Sequence, residues 1–400
     1  MAKRSAAPAS IAAPEDAARE QLVIDLMAIP GKSCEEAAVA EFIRQKLIAA
    51  GADPAAIKTD DANSKTPQKG NVGNLIFQLP GTVKGPRRML SAHMDTVPIC
   101  VGSKPVREGD FVRSADPKTG LGGDDRAGCA VVLSTALEIL KQKLPHPPLT
   151  FCWFIQEEIG LHGARFLKHA GVGKPAMCFN WDGGAPEKLT IGATGGYRMD
   201  INITGIASHA GVAPEQGVSA IAIASLAIAD LQRGGWHGLV LKGKLRGTTN
   251  VGVFHGGDAT NVVTDHVHLR AEARSHDSKF RKKIVAEIEK AFTKAAKEVK
   301  SSKGKRGSVE FDGGLDYESF ALEPDSEVVT LAGDAVKAAG LTPRTEISNG
   351  GLDANQLYQH GIPCVTLGCG QMQIHMVDET LDLAAYRTAC RIARMLATVE

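Results

Sequence analysis

Five short stretches, far apart in the chain, each end in side chains that ligate hard or borderline metal ions. They are His93-Met94-Asp95, Gly123-Asp124-Asp125, Gln156-Glu157-Glu158, Trp181-Asp182 and Ile374-His375. Four of the five directly follow, or sit just beyond, an apolar run that reads as a buried strand. Such a chain is constrained to a sheet whose strand ends converge, because open α/β sheets hold their ligands at the carboxyl ends of strands. Two imidazoles and several carboxylates gathered there form a mixed N/O donor set. That set suits zinc, or manganese or cobalt.

The intervening pattern supports this architecture. Ser33-Cys34-Glu35-Glu36 reads as a capping box opening a helix that buries Val39, Phe42, Ile43 and Leu47 and stops at Gly51. Asn74 to Leu79 and Met89 to Ala92 are short apolar runs bounded by Pro and Gly, hence strands. Gly128 to Lys141 reads as a helix, and Leu149 to Ile155 and Pro175 to Asn180 as buried strands. This alternation predicts a doubly wound, mostly parallel sheet. Near Gly192 the pattern changes to half-exposed strands (Tyr197 to Thr204, Val262 to Ala273) and two helices (Val218 to Gln232, Phe280 to Val299). An α+β sandwich inserted into the first domain is therefore expected. The α/β pattern then resumes with the strand Ile362 to Leu367 and a closing helix from Leu381 to Val399. The division expected is 1–192 and 319–400 for a catalytic domain and 193–318 for the insert.

Four hundred residues with 43% hydrophobic and 23% charged content fit a two-domain globular protein. A formal net charge of +1 gives no electrostatic reason to expect nucleic acid or an anionic membrane as a partner. No apolar stretch approaches the ~20 residues that span a bilayer. The first twenty residues lack the apolar core of a secretory signal, so a cytoplasmic protein with a frayed start is expected. Eight cysteines without paired spacing indicate neither a disulfide framework nor a thiolate metal site.

Each candidate also has a bland reading. His93-Met94-Asp95 alone is a strand-end turn, although Asp95 is placed to accept the imidazole's second N–H. Asp124 and Asp125 sit directly before a helix, where either serves as an N-cap. Glu157 and Glu158 close a strand with no other charge. Side chains alternate there, so one carboxylate can coordinate while the other acts as a base. Burying two adjacent carboxylates is costly unless cations compensate them, and that is the strongest physical argument for metal. Asp182 before Gly183-Gly184 reads as a turn residue, and a lone His375 as structural.

Taken together, His-Met-Asp-Thr-Val-Pro (93–98), Gly-Gly-Asp-Asp-Arg-Ala-Gly (122–128), Gln-Glu-Glu-Ile-Gly (156–160) and Ile-His-Met-Val-Asp-Glu (374–379) resemble the di-zinc exopeptidases. That group includes peptidase T, carboxypeptidase G-type enzymes and aminoacylases. The resemblance runs from about residue 20 to the C-terminus, and Asn349 to Asn355 looks most like the peptidase T-like branch. It implies that His93 and Asp182 hold one zinc and Glu158 and His375 the other, with Asp124 bridging. It further implies that Asp95 orients His93 and that Glu157 is the general base. In the insert, Gly205-Ile206-Ala207-Ser208-His209-Ala210-Gly211 matches a lid motif. The match gives His209 the oxyanion, in this group often across a dimer interface. Asn261, Arg274, Gly350, Gly351 and Asp353 match substrate-contacting positions, the Arg by pairing with a carboxylate. Leu352 departs from the Ser or Thr common in that loop. The resulting expectation is hydrolysis of short peptides by a lid-dimerised enzyme. An amidase or deacylase acting on N-acyl or N-carbamoyl amino acids is the nearest alternative. A catalytically silent scaffold is disfavoured, because ligands and base are all present.

Overall fold

A computed structural model describes residues 14–399, and the expected fraying of the first residues lies outside them. The chain divides into two compact units. One comprises the chain up to Gly192, Ala321–Ile347 and the segment from Leu352 onward; the other comprises Ala193–Phe320 and Ser348–Gly351.

The first unit is built on a sheet with strand order Ile57–Thr59, Leu75–Leu79, Leu149–Phe154, Arg88–His93, Met177–Trp181, Cys364–Leu367, Lys188–Ala193, Phe320–Ala321. At its centre Leu149–Phe154, Arg88–His93, Met177–Trp181 and Cys364–Leu367 run parallel. Leu75–Leu79 and Lys188–Ala193 flank them antiparallel. The central strands are apolar on both sides, as strands covered on two faces require, and Phe151, Trp153, Phe154, Phe179 and Trp181 are fully buried. The helix Gly123–Gln142 packs on three of these strands and against helices Pro14–Met27 and Leu383–Ala397. The expected mostly parallel α/β sheet is present. The antiparallel flanks carry no sequence mark, because burial rather than direction sets composition.

A small antiparallel sheet, Gln371–Met372, Thr380–Asp382, Phe111–Ser114 and Pro105–Glu108, was not foreseen. Its strands are two to four residues long, too short to show a period. The capping box is also corrected. The helix Ala37–Ala49 starts four residues after Ser33, and neither Ser33 nor Glu36 caps it; its first N–H, that of Ala37, donates to Asn71 Oδ1 at 3.1 Å. Ser33 Oγ instead donates to Asp95 Oδ2 at 2.7 Å, and Glu36 is drawn into the interior.

The second unit is an antiparallel sheet ordered Gly238–Lys242, Leu245–Gly256, His266–Ser275, Gly195–Thr204, Ser308–Tyr317. Met199, Ile201, Ile203, Val267, Leu269 and Ala271 form one face of a core completed by helices Ala220–Arg233 and Ser278–Glu298. Arg198, Asp200 and Asn202 alternate with them and stay at least partly exposed. This is the expected α+β layer. Among the described residues, no helix is long and apolar enough to cross a membrane.

Candidate metal centre

The parallel strands deliver the site. His93 is the last residue of Arg88–His93, Glu157 and Glu158 follow Leu149–Phe154, and Asp182 follows Met177–Trp181. His93, Glu157, Glu158 and Asp182 thus leave the carboxyl ends of adjacent strands, and His375 joins them from the loop between Gln371–Met372 and Thr380–Asp382.

Asp124 is the hub. Its Oδ1 lies 3.3 Å from His93 Nε2, and its Oδ2 lies 3.0 Å from His375 Nε2. His375 Nε2 is also 2.9 Å from Glu158 Oε1. His93, Asp124 and Glu158 offer ligand atoms within 4.8 Å of one another, and so do Asp124, Asp125 and Asp182. Asp125 is already committed. Its Oδ1 accepts from Gly128 N–H at 3.0 Å and Gln371 Nε2 at 2.8 Å, and its Oδ2 accepts from His93 N–H at 3.0 Å. One Asp of the pair thus caps the helix while the other faces two imidazoles.

Hydrogen bonds fix the orientation of these groups. His93 Nδ1 is 3.0 Å from the Asp95 carbonyl oxygen and 3.4 Å from Oδ1, so the backbone is the nearer acceptor. The Asp95 carboxylate is occupied elsewhere, accepting from Ser33 Oγ, Glu157 N–H and Glu158 N–H. It therefore ties the His93 strand to the turn carrying both glutamates. Glu379, which the sequence reading missed, does the same for the other side. Its Oε2 accepts from Gly122 N–H at 2.7 Å and its Oε1 from Asp124 N–H at 3.0 Å, four residues after His375. Its partners are backbone amides over 250 residues away, and no local pattern marks such a role.

The electrostatics are those of crowded acids. Burial pulls His93 toward neutrality, but Asp124 and Asp95 outweigh it and hold the imidazole well above its ordinary pKa. Hydrogen bonds to Asp124 and Glu158 raise His375 to about 10. Burial raises Asp182 to about 7, with the Asp124 charge adding to it. Burial drives Glu157 well above the carboxylate range, against the pull of His93 and with the push of Asp182, Asp353 and Glu158. The Glu157 carboxylate takes no hydrogen bond from any described residue. A cluster that must hold protons to limit repulsion is a cluster built for cations. The donors fit: two imidazole nitrogens and three carboxylates, of which the buried Asp124 Oδ1 has no hydrogen-bond partner among the described residues. Their 2.9–3.3 Å separations also fit. Ligands ~2.0–2.1 Å from a tetrahedral zinc lie ~3.3 Å apart.

The remaining candidates divide between the units. Asp353 opens the helix Asp353–Gln359 in the first unit and is 1% exposed, with both carboxylate oxygens unpartnered. Burial pushes it up to about 8. Gly350 and Gly351 fall in the second unit. Gly351 has no room for a side chain, since a Cβ would lie 2.5 Å from the Tyr317 ring. His209 and Asn261 are brought together there, with Ala210 N–H donating to the Asn261 carbonyl and a bridge joining His209 to Val262. His209 Nδ1 accepts from the Gly211 and Val212 N–H groups, each at 3.2 Å, which places the ring proton on an exposed Nε2. Arg274 forks onto Glu272 at 2.9 and 3.0 Å and lines a cavity of about 140 Å³ with Arg246, His276 and Asn349.

Comparison with known proteins identifies the family. The model of peptidase family M20/M25/M40 matches residues 89–398. The uncharacterized protein YqjE of Bacillus subtilis (strain 168) is 33% identical over 361 residues, 90% of this chain and 92% of its own. A tripeptidase from Staphylococcus aureus superposes with a TM-score of 0.86 at 31% identity, covering 96% of this chain and 97% of the other. Aminopeptidase PepT from Bacillus cereus gives 0.82 at 31% identity, covering 96% and 98%. The chain belongs to peptidase family M20/M25/M40 and groups with its peptidase T-like members.

Proposed function

We propose that the protein is a di-zinc exopeptidase that hydrolyses short peptides, tripeptides foremost, in the cytoplasm. The observation that carries this is Asp124, whose two oxygens each face an Nε2 from a different segment, beside an unengaged Glu157. His93 and Asp182 would hold one zinc, Glu158 and His375 the other, and Asp124 would bridge. When bound, the cations would polarise the scissile carbonyl and bring water's pKa near neutrality. Glu157 would take the proton of the attacking water and pass it to the leaving amine, as a carboxylate free of other hydrogen bonds can. Asp95 would keep His93 in place through the turn it pins. The exposed Nε2–H of His209 would donate to the tetrahedral oxyanion, supplied by the neighbouring subunit of a homodimer formed through residues 193–318. Arg274, Asn261, Gly350, Gly351 and Asp353 would bind the peptide. The tripeptidase and PepT relatives support the substrate class, and eight free cysteines suit a reducing compartment.

The test is reconstitution. Metal-stripped protein is loaded with zinc, manganese or cobalt and assayed on tripeptides, dipeptides, N-acyl and N-carbamoyl amino acids. Tripeptide turnover requiring two metal equivalents is expected. Faster turnover of N-acyl or N-carbamoyl substrates would replace the peptidase reading with the amidase one. Mixing inactive His209→Ala and Glu157→Ala subunits tests the partner's contribution. Recovered activity supports it, and none after confirmed subunit exchange removes it.

A further inference from the structure

The turn that presents Glu157 and Glu158 hangs from buried carboxylates by three successive backbone amides. Gln156 N–H donates to Glu36 Oε1 at 3.1 Å, Glu157 N–H to Asp95 Oδ1 at 2.9 Å and Glu158 N–H to Asp95 Oδ2 at 3.2 Å. Gln156 has φ +52, a left-handed conformation. For a residue with a side chain this conformation is strained, and it persists only where the surroundings impose it. The Gln156 side-chain amide is buried without a hydrogen-bond partner among the described residues, so the residue is held by its backbone, its carbonyl accepting from His162 N–H at 3.1 Å and its N–H donating to Glu36.

Glu36 comes from a segment 120 residues earlier and is completely buried. It does not cap the helix that begins beside it. One of its oxygens accepts from both Cys34 N–H, at 2.9 Å, and Gln156 N–H, while the other has no partner among the described residues. A buried acid serving two amides of two loops is an expensive way to fill space, and an apolar residue would fill it more cheaply. Its placement makes sense as a clamp on the turn.

We propose that Glu36 is a positioning residue for catalysis, holding the left-handed Gln156 so that the Glu157 carboxylate is aimed at the reacting water. This rests on Glu157 as the general base. Glu36 touches neither substrate nor metal ligands. Asp95 holds the amides of Glu157 and Glu158 independently, so loss of Glu36 should tilt the base without releasing Glu158.

The test compares Glu36→Met, which fills the site without an acceptor, with Glu36→Gln, which can keep one oxygen facing both amides. Glu157→Gln serves as the control for the base itself. In metal-saturated protein, Glu36→Met should lower kcat about 10- to 100-fold, the scale of a small misplacement of a catalytic group. KM and metal equivalents should stay within about twofold of wild type on that same scale, and amide exchange at Gln156 should accelerate. Glu36→Gln should restore both kcat and exchange protection. Should Glu36→Met fail to fold, Glu36→Asp carries the test, since it keeps the charge but withdraws the oxygen by one methylene. Wild-type kcat in Glu36→Met or Glu36→Asp, or Glu36→Gln as impaired as Glu36→Met, overturns the proposal. So does a loss of kcat matched by loss of metal. An unimpaired Glu157→Gln would instead overturn the assignment of the base.

Discussion

Adjacent side chains with opposite surroundings sit at residues 157 and 158. Glu158 meets His375 directly, whereas the Glu157 carboxylate receives no hydrogen bond from any described residue and is pushed toward its protonated form by burial and neighbouring acids. Glu157→Gln should therefore retain metal and fold but lower kcat by about 10²–10⁴, the range for a lost general base. Glu158→Ala should lose metal, measurable as equivalents per chain after dialysis; the reverse pattern would exchange the two roles. His209 makes a second residue-scale case. Its Nδ1 is saturated by two amides, so its Nε2–H is free to donate, and His209→Ala should lower kcat about 10²–10³-fold with metal content unchanged. Residues whose chemistry shows in their type, such as His93, Asp124 and His375, were legible in the sequence. Ser33 and Glu36 were misread as a capping box because their partners, Asp95 and Gln156, are set by the sheet and not by neighbours in sequence.

Elements rather than side chains account for why the site holds together. The central strands were legible because they are apolar on both faces, and the helix Ser278–Glu298 because its apolar stripe keeps the helical period. The short strands Gln371–Met372 and Thr380–Asp382 were not, yet they flank the loop that carries His375. That loop and the Asp124 loop are joined through Glu379. A buried carboxylate with two backbone donors cannot be replaced by alanine without orphaning both. Glu379→Ala should therefore loosen two ligand-bearing segments at once. The expected result is a metal affinity at least tenfold weaker by competition with a chelator, and a thermal midpoint that added metal largely restores. An unchanged affinity would show that the two loops are held in place by packing alone.

At the scale of the whole molecule, the acids gathered at one sheet edge make stability depend on pH and metal together. Without metal, Asp182 titrates near 7 and Asp353 near 8, both far above their unfolded values, and Glu157 is raised in the same direction. Between about pH 4 and 8 the folded protein therefore binds more protons than the unfolded chain, and stability falls as pH rises. His375, raised to about 10, extends the same trend above pH 6.5. Asp124 and Asp95 are lowered, so the stability they contribute disappears only in acid, below the ordinary carboxylate range. Cations reverse the slope, because they replace protons on these ligands and bind more tightly as the competing protons leave. The metal-free protein should accordingly melt at a lower temperature at pH 8 than at pH 5.5. Saturating zinc should raise the midpoint far more at pH 8, through a gain in stability set by ligand linkage, about 4 kcal/mol at a thousandfold excess over Kd. A metal-free midpoint that is flat or rises from pH 5.5 to 8 would mean that these carboxylates ionise without strain, and the cluster would lose its claim to need cations.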